Sequence, residues 1–154
     1  MTLQADRLKT GDQLPPLVKT LSQAKIDQFE SLSRLVRAPD GVSSLPSNMH
    51  TDAAQARRMG MTRPIASGQM SFAFLHELLA RTFGDDFLWG GELTVTFIKP
   101  VGDGDTITVH GQVQERQDTG RRARFLLDVW IENSSGDKTA TGQARVTVPS
   151  LLRE

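Results

Sequence analysis

The segment at residues 68–83 constrains the fold most, because its apolar side chains lie on nearly every side of a helix. Ser67 is placed to cap this helix and Gly84 to end it. The apolar residues are Met70, Phe72, Phe74, Leu75, Leu78, Leu79 and Phe83. A surface helix carries a single apolar stripe, so a helix with this pattern must be largely surrounded by other elements.

Four strand patterns follow the helix, beginning with residues 92–98. Turns rich in Gly, Asp and Ser separate them at residues 102–105, 118–120 and 134–137. The residues that alternate onto one face are Leu93, Val95 and Phe97, then Ile107, Val109 and Val113, then Phe125, Leu127, Val129 and Ile131, and finally Ala140, Gly142, Ala144, Val146 and Val148. This pattern predicts an antiparallel meander with one apolar face.

The chain upstream predicts shorter elements. A strand at residues 17–21 precedes a helix that Ser22 caps and that reaches about residue 33. Its inner face would hold Ile26, Phe29 and Leu32. Residues 37–48 contain two prolines, a glycine and several serines, so they predict a loop. A short helix follows, with Asp52 as its N-cap and Gly60 beyond its end.

A meander with an apolar face can bury a long apolar helix by curling around it, which is the hotdog architecture of the α+β class. The length suits one core, so residues 1–154 are expected to form one hotdog domain. A single curled sheet leaves its edge strands unpaired, and pairing two copies would protect them. We therefore expect a homodimer or a higher homo-oligomer.

Composition excludes several function classes. Lys plus Arg number 18 and Asp plus Glu number 18, so no net charge draws the protein to nucleic acid or to a membrane, and neither is expected as a partner. There are no cysteines, and the histidines lack ligand spacing, so no metal site and no cofactor are predicted. No apolar stretch suggests a signal peptide or a membrane span, and a cytoplasmic location is the expectation.

Two segments carry a family resemblance. Residues 48–56 read NMHTDAAQA, and they are followed by Gly60, by PIASG at residues 64–68 and by the long helix. Residues 97–101 read FIKPV and residues 104–106 read GDT. Together these motifs resemble the MaoC-like dehydratases, which include the (R)-specific enoyl-CoA hydratases. The resemblance spans roughly residues 15–148 and implies a hotdog fold.

The resemblance also implies a chemistry, the hydration or dehydration of an acyl thioester carried on CoA or on a carrier protein. In the family a carboxylate and a histidine hold the water that adds to a trans-2-enoyl thioester, and a backbone N–H binds the thioester oxygen. By position, His50 matches the catalytic histidine and Gly68 matches the glycine of the oxyanion hole. Asn48, Ser67 and Gln69 are the expected substrate-binding residues.

The carboxylate departs from the family pattern. Leu45 stands five residues before His50, where the hydratases carry their aspartate. Asp40, in the same loop, is the candidate replacement and completes the predicted catalytic set of His50, Gly68 and Asp40. Asp52 is better explained as a helix cap than as a base.

Two other functions remain open from the sequence. One is a hotdog thioesterase, and the other is a non-catalytic or half-site subunit that binds acyl-CoA, which Leu45 favours.

The cations that could bind the phosphates of such a thioester are Arg57, Arg58, Arg81 and Lys99, although each is also explained as a surface charge. His76 and His110 are expected to serve packing or surface roles, and Trp89 to pack in the acyl pocket or at a subunit contact.

Overall fold

The computed structural model describes residues 5–35 and 47–150, with only the backbone described for 33–35. Asp40 and Leu45, with most of the predicted loop, lie outside the described residues. After a 3₁₀ turn at Ala5–Arg7, the elements are β1 Leu17–Thr20, α1 Gln23–Leu35, α2 Ala53–Arg58, α3 Gly68–Phe83, α4 Asp85–Gly90, β2 Glu92–Phe97, β3 Thr106–Thr119, β4 Arg122–Asn133 and β5 Lys138–Pro149. None of the helices in these ranges is long and apolar enough to cross a membrane.

The five strands form one antiparallel sheet in the order β1-β3-β4-β5-β2. Strands β3, β4 and β5 make the predicted meander, and turns at Gly120 and Gly136 connect them. The prediction was wrong for β2, which pairs with β5 at the far edge rather than with β3. Alternation shows which face of a strand is apolar and leaves its neighbours undetermined. The connection from β2 back to β3 therefore crosses beside the start of α3, where Ile65 pairs with Gly102.

Helix α3 packs on the apolar face of the sheet. Leu75, Leu78 and Leu79 have almost no accessible surface, and the predicted inward residues of β3 and β4 are buried around them. Burying each such side chain contributes about 1.5–3 kcal/mol, so this contact makes a large contribution to the stability of the fold. Helix bounds and burial thus follow the prediction, with Gln69, Phe72 and Arg81 left exposed in the single chain.

Helix α1 differs in its inner face. Ser22 caps it as predicted, since the Lys25 N–H donates to the Ser22 hydroxyl at 3.3 Å. Ile26 is fully buried, but Leu32 is 56% exposed, so its predicted inward position was wrong. At about 100° per residue, Leu32 lies about 120° around the helix from Ile26. Glu30 is close to Ile26 in angle, and it is the buried residue.

Of the two helix caps predicted near the site, the structure confirms the one at Asp52 and not the side-chain cap at Ser67. The Asp52 carboxylate accepts the N–H groups of Ala54 at 2.7 Å and Gln55 at 3.2 Å, and Gly60 has a φ of 81°, so α2 is capped as predicted. Ser67 occupies the N-cap position of α3, but its hydroxyl makes no capping hydrogen bond. The hydroxyl points instead into the packed interior, and the first N–H groups of α3 are left for other partners.

Candidate active site

His50 lies in a turn before α2, and hydrogen bonds hold three of its polar groups. Its backbone N–H donates to the Asn48 side-chain oxygen at 2.8 Å, and its carbonyl accepts from the Gln23 amide at 2.8 Å. The ring nitrogen Nδ1 is 2.8 Å from the Ile65 carbonyl oxygen. The peptide and the ring of this half-buried residue are therefore held from three directions.

The contact with Ile65 determines which ring nitrogen is available for chemistry. A carbonyl oxygen can only accept a hydrogen bond, so Nδ1 must carry the proton. In the neutral ring Nε2 then has a lone pair, and no atom of the described residues pairs with it. The ring is thus set to take a proton at Nε2 and to return it, as a general acid–base catalyst requires.

The same hydrogen bond brings His50 close to the start of α3. Ile65 precedes Gly68 by three residues, and a chain of that length spans at most about 10 Å. The segment before the helix is fixed by two further backbone bonds, from the Ile65 N–H to the Met49 carbonyl at 3.2 Å and from the Ala66 N–H to the Val101 carbonyl at 2.7 Å. His50 and the N-terminus of α3 therefore belong to one rigid arrangement.

Gly68 begins α3, and within the described chain its N–H has no hydrogen-bond acceptor. The positive end of the helix dipole adds to the potential at this group, which suits an oxygen that gains negative charge. A Cβ at Gly68 would lie 2.9 Å from Cε2 of Phe97. Glycine therefore allows the Phe97 ring to lie directly over the first residue of the helix.

Two buried side-chain atoms in the described residues lack a hydrogen-bond partner, namely Oε1 of Gln23 and Oγ of Ser67. Gln23 donates to the His50 carbonyl, and Ser67 follows Ile65, which binds the His50 ring, by two residues. Buried polar atoms without partners are rare and reduce stability. Both occur beside His50, which sets this region apart from the rest of the described chain.

Asn48, Gln69 and Asp52 differ in their exposure and in their hydrogen bonds. Asn48 uses its side-chain oxygen inside the turn, for the His50 N–H and the Thr51 hydroxyl. Gln69 is exposed on the first turn of α3. Asp52 is engaged as a cap, and hydrogen bonds from the Ser47 hydroxyl and the Ala54 and Gln55 N–H groups lower its pKa. A carboxylate with a lowered pKa is a weak base, so Asp52 fits its structural role.

The other two histidines have aromatic neighbours. His76 in α3 has its ring 5.1 Å from that of Phe87, and His110 stacks on Trp130 at 5.1 Å.

Among the proposed phosphate-binding cations, Arg81 pairs with Glu77 at 2.7 Å and Lys99 with Asp137 at 3.0 Å. Arg57 and Arg58 lie exposed in the last turn of α2. Trp89 is 88% exposed, so it does not pack within the single chain.

A groove of about 600 Å³ lies elsewhere, on outward-facing side chains of β2, β4 and β5. Its walls include Thr94, Asp128 and Trp130, and neither His50 nor Gly68 contributes to it. Its size alone does not make it the reactive site, because it lacks the combination of a basic ring nitrogen and an unpaired N–H.

Sequence reasoning did not identify Gln23 or the Ile65 carbonyl as parts of the site. The Ile65 contact is made by a main-chain atom, whose role is independent of the side chain. Gln23 stands 27 residues before His50, at the start of a helix, where glutamine is an ordinary residue. Only the folded arrangement shows these contacts.

Comparison with known proteins gives one family match. Residues 42–129 match the family model described as the MaoC like domain. No curated protein sequence matches the chain.

Solved structures give matches along nearly the whole chain. R-hydratase PhaJ1 from Pseudomonas aeruginosa is 22% identical with a TM-score of 0.69, covering 97% of this chain and 91% of that one. The (R)-hydratase from A. caviae involved in PHA biosynthesis is 24% identical with a TM-score of 0.70, covering 93% and 98%. The ChsH1-ChsH2 complex from Mycobacterium tuberculosis is 15% identical with a TM-score of 0.71, covering 91% and 98%. At these identities the likeness establishes the fold, and the predicted hotdog class is confirmed.

Proposed function

The chain belongs to the family of MaoC-like domains, and from this premise we propose that it adds water to an enoyl thioester or removes water from the 3-hydroxyacyl thioester. The family supports acyl-thioester hydration or dehydration in general. The observation that carries the proposal is that, among the described residues, neither Nε2 of the His50 ring nor the Gly68 N–H has a hydrogen-bond partner. The acyl group is carried on CoA or on a carrier protein.

The proposed reaction needs one base, one acid and one oxyanion donor. Nε2 of His50 takes a proton from water while the water oxygen bonds to C3 of the enoyl thioester. Electrons move to the thioester oxygen, which the Gly68 N–H stabilises. The protonated ring then gives its proton to C2, and the product is the 3-hydroxyacyl thioester. Asp40 remains the proposed carboxylate that assists with the water, and Ser67, Gln69 and Asn48 the proposed substrate contacts.

An assay of the purified protein tests this function. The protein is incubated with crotonyl-CoA and with longer, branched and aromatic enoyl-CoAs, and the loss of the enoyl absorbance and the release of free thiol are both recorded. Hydration without thiol release is expected. Thiol release would instead indicate a thioesterase, and binding without any turnover would contradict an enzymatic role.

A half-site subunit is the second candidate function. Leu45 stands where the hydratases carry their aspartate, and a two-component complex, ChsH1-ChsH2, is among the structural neighbours. In that case this chain binds the thioester and a partner chain supplies the catalytic residues. Saturable acyl-CoA binding in calorimetry, together with an absence of turnover, would favour this function over the first.

The two edges of the sheet indicate how copies of the chain would assemble. Beside the β2 edge, Phe97 is 50% and Ile98 is 53% exposed, and exposed Leu88 and Trp89 lie just upstream. The β1 edge has four residues, and Lys19 there is paired with Glu77. β2 is the longer edge strand, with six residues, and its exposed apolar end favours pairing with another strand. We therefore propose a homodimer that joins two β2 edges.

Sedimentation can test this assembly. The wild-type protein is expected to sediment as a dimer or larger, and Ile98→Lys to shift it towards the monomer. Val18 on β1 is 65% exposed, so Val18→Lys is the matched control and should leave the assembly intact. A monomeric wild type would exclude the proposed interface.

A further inference from the structure

Gln23, at the start of α1, makes three hydrogen bonds that join three segments. Its backbone N–H donates to the Asp103 carboxylate at 2.9 Å, and its side-chain Nε2 donates to Asp27 Oδ1 and to the His50 carbonyl, each at 2.8 Å. We propose that Gln23 is a positioning residue, which fixes the His50 peptide so that the ring keeps Nε2 directed at the substrate. This inference rests on the proposed function of His50.

The orientation of the Gln23 amide follows from its partners. Asp27 Oδ1 and the His50 carbonyl oxygen are both acceptors, so the group between them must be the amide NH₂. The oxygen Oε1 is then directed away and buried, and no group of the described residues donates a hydrogen bond to it. Gln23 therefore holds the His50 carbonyl at the expense of an unsatisfied oxygen, and such a cost is typical of functional sites.

Asp27 orients the Gln23 amide towards the His50 carbonyl. It lies one helical turn after Gln23 on α1, and its carboxylate anchors one of the two amide protons. The other proton is thereby aimed at His50. Because the start of α1 is also tied to Asp103, between β2 and β3, the amide is held on a rigid support.

The consequence for His50 is a backbone held at both of its polar groups, the N–H and the carbonyl. Asn48 accepts its N–H and Gln23 donates to its carbonyl, so the direction of the Cα–Cβ bond is set. The ring can then reach the Ile65 carbonyl through Nδ1. Loss of the Gln23 contact frees one side of the peptide, and the ring can rotate away from the position that leaves Nε2 available.

Replacement of Gln23 by methionine tests the proposal, since methionine keeps the length and apolar stem of the side chain but removes both donors and the unsatisfied oxygen. Gln28 is exposed on the same helix, so Gln28→Met is the matched control. We expect Gln23→Met to lower kcat by about 10- to 100-fold with KM unchanged, as misplacement of a catalytic group does. Its Tm should fall below that of Gln28→Met, because the Asp27 carboxylate and the His50 carbonyl both lose their donor.

A purely structural role predicts the same lower Tm with the kcat of the control, so a kcat equal to that of the control would overturn the proposal whatever the Tm. Nitrogen-15 NMR of the His50 ring, assigned with His50→Gln, gives a readout that does not depend on turnover. The Nδ1–H tautomer is expected in the wild type and a mixture in Gln23→Met. If the wild-type protein hydrates no enoyl thioester, the proposed function fails, and the tautomer alone then supports or overturns the positioning role.

Discussion

His50 and His110 lie in regions of opposite character. On the outer face of the sheet, His110 stacks on Trp130, and its Nε2 is 3.5 Å from Glu132. The same glutamate accepts the Trp130 indole N–H at 2.9 Å, and Lys138 lies over the indole ring at 5.2 Å. At His50, by contrast, Nε2 has no partner within the described chain, and two buried atoms nearby also lack one.

The difference in hydrogen bonding between the two regions indicates where polar groups reduce the stability of this fold. Polar groups that already have partners, such as the Trp130 indole N–H and the Glu132 carboxylate, stabilise the sheet and have little left to offer a ligand. Unpaired groups beside His50 are a cost in the free protein that a substrate or water can remove on binding. We therefore assign chemistry to the region with unsatisfied groups, although the His110 region borders the 600 Å³ groove.

Replacing His50 or His110 by glutamine is expected to give the largest difference in activity, and it tests the contrast between the two regions most directly. His50→Gln removes the proposed acid–base group, so we expect kcat/KM for crotonyl-CoA hydration to fall about 10²- to 10⁴-fold. His110→Gln leaves the reactive region intact and should keep the wild-type value. Equal losses in the two variants, measured by steady-state kinetics, would show that the contrast has no catalytic meaning.

The predicted carboxylate gives the next largest effect. Asp40→Asn keeps the size of the side chain and removes the charge, and hydration should fall by about 10²-fold if Asp40 assists His50. Asp52→Asn changes the same residue type in the adjacent helix cap, and it should retain the activity. Full activity in Asp40→Asn combined with an inactive His50→Ala would mean that His50 activates water without Asp40.

A methyl group at Gly68, the proposed oxyanion position, is expected to give a smaller loss of activity. In Gly68→Ala the added carbon would lie 2.9 Å from the Phe97 ring, so the ring must move and crowd the approach to the N–H. We expect kcat to fall about 10-fold or more, as loss of oxyanion stabilisation does. Gly90 is also helical and has nothing within 4 Å of an added carbon, so Gly90→Ala is the control. Retained kcat in Gly68→Ala would argue against the oxyanion role.

The smallest effect concerns the pH dependence of stability at the helix cap beside His50. The pKa of Asp52 is lowered in the folded protein by hydrogen bonds from Ser47, Ala54 and Gln55. A lowered pKa means that its contribution is complete above the unfolded value of about 3.9 and is lost as the pH falls through the folded value. Asp52→Asn should therefore lower the Tm at pH 7, with the difference from the wild type fading towards acid pH. A difference independent of pH would mean that charge plays no part.

Much of the fold could be predicted because its signals are local. The burial of Leu127 and Val129 follows from alternation along one strand, and Asp52 and Gly60 from the chemistry of helix ends. The position of β2 beside β5 was missed because periodicity carries no information about strand order. The prediction that Leu32 faces inward was wrong because Glu30, and not Leu32, lies on the same side of the helix as Ile26.

The candidate site was less predictable, since it depends on contacts between distant segments. His50 and Gly68 are candidates that the family motif identified, and their roles stay predictions. Gln23 carries no local signal, because its partners are an acidic side chain and a main-chain oxygen that only tertiary structure brings close. The Ser67 hydroxyl was expected to cap α3 from its position alone, but packing directs it elsewhere.

The pairing of β2 with β5 also affects the order of events during synthesis. Glu92 pairs with Arg145, which the ribosome adds 53 residues later. At about 5–20 residues per second, β2 waits roughly 3–10 s for its partner strand. During that interval α3 has been made, while the sheet that buries Leu75 and Leu79 is incomplete. The nascent chain therefore presents an apolar helix that molecular chaperones are expected to bind until β5 emerges.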